Sequence, residues 1–104
     1  MNWPDTWTSD DGLAFTRIET GWKVVIVRDL PQRLGEPCSV DLPREGSHIV
    51  AGDTLLAIEL SKARVEFAAP AALVVCESRN RSGSSGATMP SEIAWSLVIV
   101  PENT

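Results

Sequence analysis

Few residues of this chain are of the types that perform chemistry. His48 is the single histidine, and the two cysteines, Cys38 and Cys76, lie far apart without a partner at metal-ligand spacing. Nucleophilic catalysis needs a base beside the nucleophile, so such a site would depend on His48, which sits in a short run of strand type. We therefore predict no catalytic residues and no metal ligands, and we expect both cysteines to be buried thiols.

The chemistry that remains is that of a lysine amine in the segment "LLAIELSKARVEFAAP", residues 55–70. Two patterns fit this segment. In one, apolar residues recur at the spacing of a helix face, and Lys62 is one more solvated charge. In the other, Ala63, Val65 and Phe67 alternate with charged residues as in a half-buried strand, and Lys62 lies at the tip of a hairpin. Because periodicity alone does not decide, the surrounding elements must.

Short runs of β type recur along the chain, with turn residues between them: residues 13–19, 22–28, 38–42, 47–50, 54–60, 63–69, 72–77 and 95–100. Separators such as those at Gly46 and Gly52 tolerate the positive φ that tight turns need. Many short strands with regular turns predict an all-β sandwich or barrel. This context favours strands in residues 55–70, although Ser61-Lys62 is not a favoured hairpin dipeptide.

Two internal segments are expected to differ from strands. Residues 29–35 are predicted to form one short helical turn, with Asp29 as its N-cap and Gly35 at its end. Residues 79–90, which are rich in Ser and Gly, have the composition of a flexible loop.

The N-terminal segment, residues 1–12, also has loop composition and is expected to be loosely held. This expectation ranks the tryptophans by burial. We predict that the two in strand patterns are more buried than the two near the N-terminus: Trp22 or Trp95 against Trp3 or Trp7.

Bulk properties limit the class of protein. The chain has 104 residues, of which 43% are hydrophobic, so we expect one domain spanning residues 1–104. Its formal net charge is −5 and its basic residues are scattered, which argues against a nucleic-acid partner. The longest uncharged apolar run is interrupted by Pro70 and is too short to span a bilayer, and no basic residue precedes Arg17 to begin a secretory signal. We therefore expect a soluble, cytoplasmic protein without a membrane partner.

Several short motifs follow one another in residues 21–70. A Leu-Gly ends the short helical turn, "LP..G" closes a strand, "GD" forms a turn, and Glu-x-x-Lys-Ala is followed seven residues after its Ala by Pro. In this order they resemble the glycine cleavage system H protein family. The matching residues are Leu34 and Gly35, Leu42 and Pro43, Gly46, Gly52 and Asp53, Glu59, Lys62, Ala63 and Pro70. The ordered set is far more specific than Lys-Ala alone.

This resemblance implies a barrel-sandwich hybrid fold of the lipoyl- and biotinyl-carrier type, with lipoate attached covalently to Lys62 at an exposed hairpin tip. An amide with lipoic acid removes the ammonium charge and lengthens the lysine into a swinging arm, whose dithiolane transfers a group by thiol chemistry. The resemblance further implies that Glu59 contributes to recognition by the lipoylating enzyme and that Ala63 leaves space beside the lysine. Biotin carriers share the architecture, but their lysine usually lies between methionines, so lipoate is the expected cofactor.

The resemblance also implies partners. The protein would be a non-catalytic, monomeric carrier and a substrate of a lipoate ligase or lipoyl transferase. Its client enzymes would be the P-, T- and L-protein-like components of glycine cleavage, or other lipoate-dependent enzymes.

The chain departs from the family pattern near both ends. "LAF" stands where the family has His-Glu-Trp, no Gly follows Pro70 at the usual place, and residues 79–93 replace a longer helical region. Three hypotheses therefore stay open: a carrier for glycine cleavage, an H-like carrier in another pathway such as sulfur transfer, and an unmodified scaffold that only binds partners.

Overall fold

The computed structural model describes residues 3–27, 32–80 and 95–102, which form antiparallel β-sheets without an α-helix. The strands within these ranges are β1 (Thr6–Thr8), β2 (Leu13–Ile18), β3 (Gly21–Ile26), β4 (Pro37–Asp41), β5 (His48–Ile49), β6 (Thr54–Leu60), β7 (Arg64–Ala68), β8 (Leu73–Asn80) and β9 (Trp95–Pro101). A single turn of 3-10 helix, Gln32–Leu34, precedes β4. The prediction of an all-β protein is confirmed.

In the described part of the chain the strands form two sheets. The larger has the order β1-β2-β3-β9-β8-β5, and the smaller has the order β4-β6-β7. Apolar and polar side chains alternate along the strands, so that the apolar ones face the core. In β3, for example, Trp22 and Val24 are buried while Lys23 is exposed. Ile58 and Phe67 of the smaller sheet belong to the same hydrophobic cluster as Trp22 and Val24, as expected when two sheets pack face to face.

The central strand of the smaller sheet explains why the sequence pattern around Lys62 is ambiguous. Residues 55–58 of β6 are all buried, so both faces of the strand are covered there. A register shift between Thr54 and Leu56 further disturbs the alternation at the start of the strand. A strand buried on both faces gives a continuous apolar run, which periodicity cannot distinguish from a buried helix.

Each of the eight predicted β runs contains a strand, with ends that differ by a few residues. The helical turn is also found, as the 3-10 helix Gln32–Leu34, while its proposed cap, Asp29, lies outside the described residues. The loop prediction for residues 79–90 is wrong at its start, because Arg79 and Asn80 belong to β8 and pair with β9. The rest of that segment lies outside the described residues.

The expectation of a loosely held N-terminal segment does not fit residues 3–12. β1, which the sequence did not predict, pairs with β2, and Trp3 is only 6% exposed, compared with 9% for Trp22. The predicted order of tryptophan burial is therefore wrong for Trp3, but it is confirmed for Trp7, which is half-buried and thus less buried than Trp22. Trp3 is buried because its ring contacts the rings of Trp7, Phe15 and Trp22, which are contributed by three different strands.

The prediction of buried cysteines is also wrong, since Cys38 and Cys76 are free and exposed. Both lie at shifts of strand register, Cys38 between Pro37 and Ser39 and Cys76 between Val75 and Glu77. At Cys38 the bulge interrupts the alternation with the buried Val40, which would otherwise turn the thiol toward the core. Cys76 directly follows the buried Val75, so alternation in β8 already turns it outward. In the described ranges, the structure contains no helix that is long and apolar enough to cross a membrane.

Candidate functional site

Lys62 lies in the connection between β6 and β7. Glu59 pairs with Arg64 at the end of the antiparallel ladder, and the Leu60 amide donates a hydrogen bond to the Ala63 carbonyl at 2.7 Å. Ser61 and Lys62 lie between them and are exposed. The strand interpretation of this segment is confirmed, and Lys62 is at the tip of a hairpin.

The backbone of this connection keeps negative φ throughout. Residues 60–63 lie between Glu59 and Arg64, the last pair of the ladder. Connections of this length are most often built around a type I turn, whose central residues have negative φ. No non-glycine residue in the described ranges has positive φ, so Ser61 and Lys62 fit that geometry.

Residues 34–36, at the end of the 3-10 helix, are hydrogen-bonded to this turn. The amides of Ser61 and Lys62 donate to the carbonyls of Glu36 and Leu34, each at 3.0 Å. In return, the Glu36 amide donates to Ser61 Oγ at 3.3 Å. Because Leu34 packs against the hydrophobic core, these bonds connect the lysine-bearing turn to the interior of the protein.

Gly35 makes this arrangement possible. Its φ is +90°, and a Cβ atom built on it would overlap Ser61 Oγ and lie 3.1 Å from the Lys62 nitrogen. The positive φ reverses the chain so that the carbonyls on both sides of Gly35 reach the turn. The Leu-Gly pair of the sequence motif thus lies directly against the lysine-bearing turn.

Arg64 of β7 bridges three carboxylates of the smaller sheet beside the turn. The Arg64 guanidinium donates to Glu59, to Asp41 at 3.0 Å and to Glu66 at 3.2 Å. Hydrogen bonds from Glu59 first, then Asp41 and Glu66, raise the pKa of Arg64 above its already high usual value. The guanidinium is therefore charged throughout the ordinary pH range.

The other two predicted site residues flank the turn in different ways. Glu59 is half-buried, and its carboxylate is already engaged by Arg64. Ala63 is also half-buried and closes the turn through its backbone carbonyl. The structure thus brings Glu59, Lys62 and Ala63 together at one end of the hairpin.

Sequence reasoning missed two neighbours of the turn. Arg64 could have been paired with Glu59 from the hairpin register, because residues on either side of a turn face each other. Cys38 carried no such signal. Its thiol donates to the Glu36 carbonyl at 3.4 Å, the same carbonyl that accepts from the Ser61 amide.

Other candidate chemistry is sparse in the described part of the chain. No group of three or more His, Cys, Asp or Glu side chains there is arranged to hold a metal ion. His48 is exposed, and its Nδ1 lies 3.2 Å from a carboxylate oxygen of Glu102. An open cavity of about 270 Å³, lined by Trp7, Asp11 and Pro70 among others, lies at the end of β7 away from Lys62.

Comparisons with models of known protein families and with curated proteins find no match to this chain. The resemblance to H proteins therefore depends on the ordered residues named above.

Proposed function

We propose that this chain is a lipoyl carrier related to the glycine cleavage H protein, with a barrel-sandwich hybrid fold and lipoate attached to Nζ of Lys62. The observation that supports the proposal most strongly is the exposed position of Lys62 in the turn of the β6–β7 hairpin. This turn falls within the ordered set of residues that resembles the family.

The chemistry of attachment favours such a position. The neutral Nζ amine of Lys62 attacks the activated carboxyl carbon of lipoate, the activating group leaves, and the amine loses a proton as the amide forms. The lysine must enter the active site of the lipoylating enzyme for this reaction. A convex hairpin tip allows that entry, whereas a lysine on the flat face of a sheet is hindered by its neighbours.

Lys23, the only other lysine, offers a direct contrast. It is exposed on β3, but it lies within a strand and pairs with Thr16 on one side and Val98 on the other. Exposure is therefore common to both lysines, and position in a turn distinguishes them. We propose Lys62 as the single site of modification, with a lipoate ligase or lipoyl transferase as the modifying partner.

Attachment of lipoate would also change the electrostatics near the turn. Loss of one ammonium group takes the formal net charge from −5 to −6. The remaining charges around the turn are mainly the carboxylates bridged by Arg64. Client enzymes would therefore meet a more acidic surface on the loaded carrier. Whether they belong to glycine cleavage or to another lipoate-dependent pathway, such as sulfur transfer, depends on surfaces beyond this lysine.

The proposal is tested by co-expression of the chain with a lipoate ligase in the presence of lipoate. Intact mass should show one lipoyl group on the wild-type protein and none on Lys62→Arg, because arginine lacks the primary amine that forms the amide. Lys23→Arg is the matched control and should be modified like the wild type. Circular dichroism should be the same for all three proteins, since exposed substitutions rarely change stability by more than about 0.5 kcal/mol.

Two results would contradict the proposal in different ways. A lipoyl group on Lys62→Arg would move the site to Lys23. A wild-type protein that stays unmodified under conditions that modify an authentic H protein would overturn the carrier function and favour the unmodified scaffold.

A further inference from the structure

We propose that Gly35 and Ser61 are positioning residues of the lysine site, which hold the turn against residues 34–36 so that Lys62 is presented in one orientation. This inference rests on the proposed lipoylation of Lys62. It assigns a role in modification to residues that the enzyme need not touch.

Two backbone hydrogen bonds fix the orientation of the turn. The amides of Ser61 and Lys62 both point toward residues 34–36, where each has a carbonyl partner at 3.0 Å. The turn cannot rotate about the hairpin axis without breaking both bonds. Fixing two successive amides therefore fixes the direction in which the Lys62 side chain leaves the backbone.

Gly35 leaves no space for a side chain beside the turn. A Cβ atom there would overlap Ser61 Oγ and would lie 3.1 Å from both Ser61 Cβ and the Lys62 nitrogen. Rotation of the Ser61 hydroxyl relieves the overlap but breaks the bond from the Glu36 amide, and the two close contacts require the turn to shift slightly from residues 34–36. Alanine at this position is also strained by the positive φ of +90°. These two effects need to be separated before a loss of modification can be assigned to the turn.

Gly52 allows that separation. Its φ is +89°, nearly identical to that of Gly35, but a Cβ atom on Gly52 would meet nothing within 4 Å. Alanine at Gly52 therefore introduces the same backbone strain without the overlap. The difference between Gly35→Ala and Gly52→Ala isolates the contact with the lysine-bearing turn.

The orientation of the turn should affect the kinetics of modification. If the enzyme accepts one orientation of the turn, a turn that is released from residues 34–36 populates that orientation only part of the time. The apparent affinity then falls in proportion to the competent fraction. Release of the turn should raise KM, while kcat, measured with saturating carrier, stays close to that of the wild type.

The experiment measures amide hydrogen exchange and steady-state lipoylation on the same variants of the full chain. In Gly35→Ala, we expect the Ser61 and Lys62 amides to exchange at least about tenfold faster, and KM for the carrier to rise by a similar factor. In Gly52→Ala, both quantities should stay within about twofold of the wild type.

Two further variants guard against a Gly35→Ala protein that does not fold. Ser61→Ala removes only the bond from the Glu36 amide and should shift exchange and KM in the same direction by a smaller factor. Ser61→Ala combined with Gly35→Ala removes the hydroxyl that a Cβ at Gly35 would overlap, so it should exchange more slowly than Gly35→Ala alone. Such non-additivity is expected of residues in direct contact.

Fast exchange in Gly35→Ala together with wild-type KM would overturn the positioning role and leave lipoylation at Lys62 intact. Unchanged exchange in both Gly35→Ala and Ser61→Ala would also overturn it, because the turn would then not depend on residues 34–36. A wild-type protein that is never lipoylated would instead overturn the proposed function, and the positioning role with it.

Discussion

Replacement of Trp3 by alanine should destabilise the protein by about 3–5 kcal/mol, the range for large aromatic residues in a core. Trp3 is 6% exposed although it is close to the N-terminus. Its ring lies edge-on to those of Trp7, Phe15 and Trp22, with centroids 4.9, 5.2 and 5.6 Å away. Each such aromatic pair is worth about 0.5–1.5 kcal/mol beyond the area it buries.

The loss of stability on Trp3→Ala has an upper limit, because the N-terminal segment can detach while the rest of the protein stays folded. If residues 3–8 detach, the protein also loses the bond from Trp22 Nε1 to the Pro4 carbonyl at 3.0 Å and the bond from the Arg17 amide to the Asp5 carbonyl at 2.7 Å. The cost of Trp3→Ala cannot exceed the free energy with which this whole segment is held. A domain of this size has a total stability of about 5–15 kcal/mol, so the loss is large in either case.

Urea denaturation followed by far-UV circular dichroism measures this cost without relying on the tryptophan signal. Val50→Ala is a suitable control, because Val50 is 56% exposed and its truncation should change stability by about 0.5 kcal/mol or less. A Trp3→Ala protein with the stability of that control would refute the argument. Residues 3–12 would then be loosely held, as their composition suggests.

Two further predictions follow from charges and thiols at the surface. Arg64→Gln leaves three carboxylates without their shared cation. The urea midpoint of this variant should fall at low salt and recover at higher salt, because salt screens the repulsion between the carboxylates. A salt response like that of the wild type would contradict this prediction. Cys38 and Cys76 are both exposed, so native protein should take up two iodoacetamide groups by intact mass without denaturant, and uptake of fewer would contradict their exposure.

The strands could be predicted because their signals are local. Apolar alternation and turn residues fall within a few positions of each other, and the runs that they mark contain the strands β2 to β9. β1 could not be found in this way, because its three residues are too few to establish a period. The burial of Trp3 is decided by rings from β1, β2 and β3, and the polar residues around it gave the segment the composition of a loop.

The cysteines show a different limit of sequence reasoning. Burial was expected because free cysteine is usually buried. The two exposures have different causes. Cys76 directly follows the buried Val75 of β8, so its alternation with Leu73 and Val75 already turns it outward. Cys38 lies two residues before the buried Val40 and would point inward by alternation, but it is the extra residue opposite Leu60 and Glu59 of β6. That bulge depends on how two strands pair and is not determined by the sequence around Cys38 alone.

Around Lys62, one feature follows from the local sequence and another depends on strand pairing. That Lys62 lies in a turn could be predicted from the alternation on either side of it and from the resemblance. The contact between Gly35 and Ser61 could not, because it depends on the pairing of β4 with β6, which brings together residues 34–36 and the turn. The motif residues Leu34 and Gly35 looked like an ordinary helix end, and their second role appears only once the hairpin is seen beside them.

The swinging arm that we propose for Lys62 would need a fixed base and a free end, and different interactions of this fold provide each of them. The base is fixed because β6 is buried on both faces at residues 55–58 and because the turn is hydrogen-bonded to residues 34–36. The end is free because the Lys62 side chain itself is exposed. Flexibility of the backbone at the turn would add reach to the arm, but it would reduce the fraction of molecules that a modifying enzyme can engage. We therefore expect substitutions that loosen the turn to impair attachment of lipoate before they impair the movement of an arm already attached.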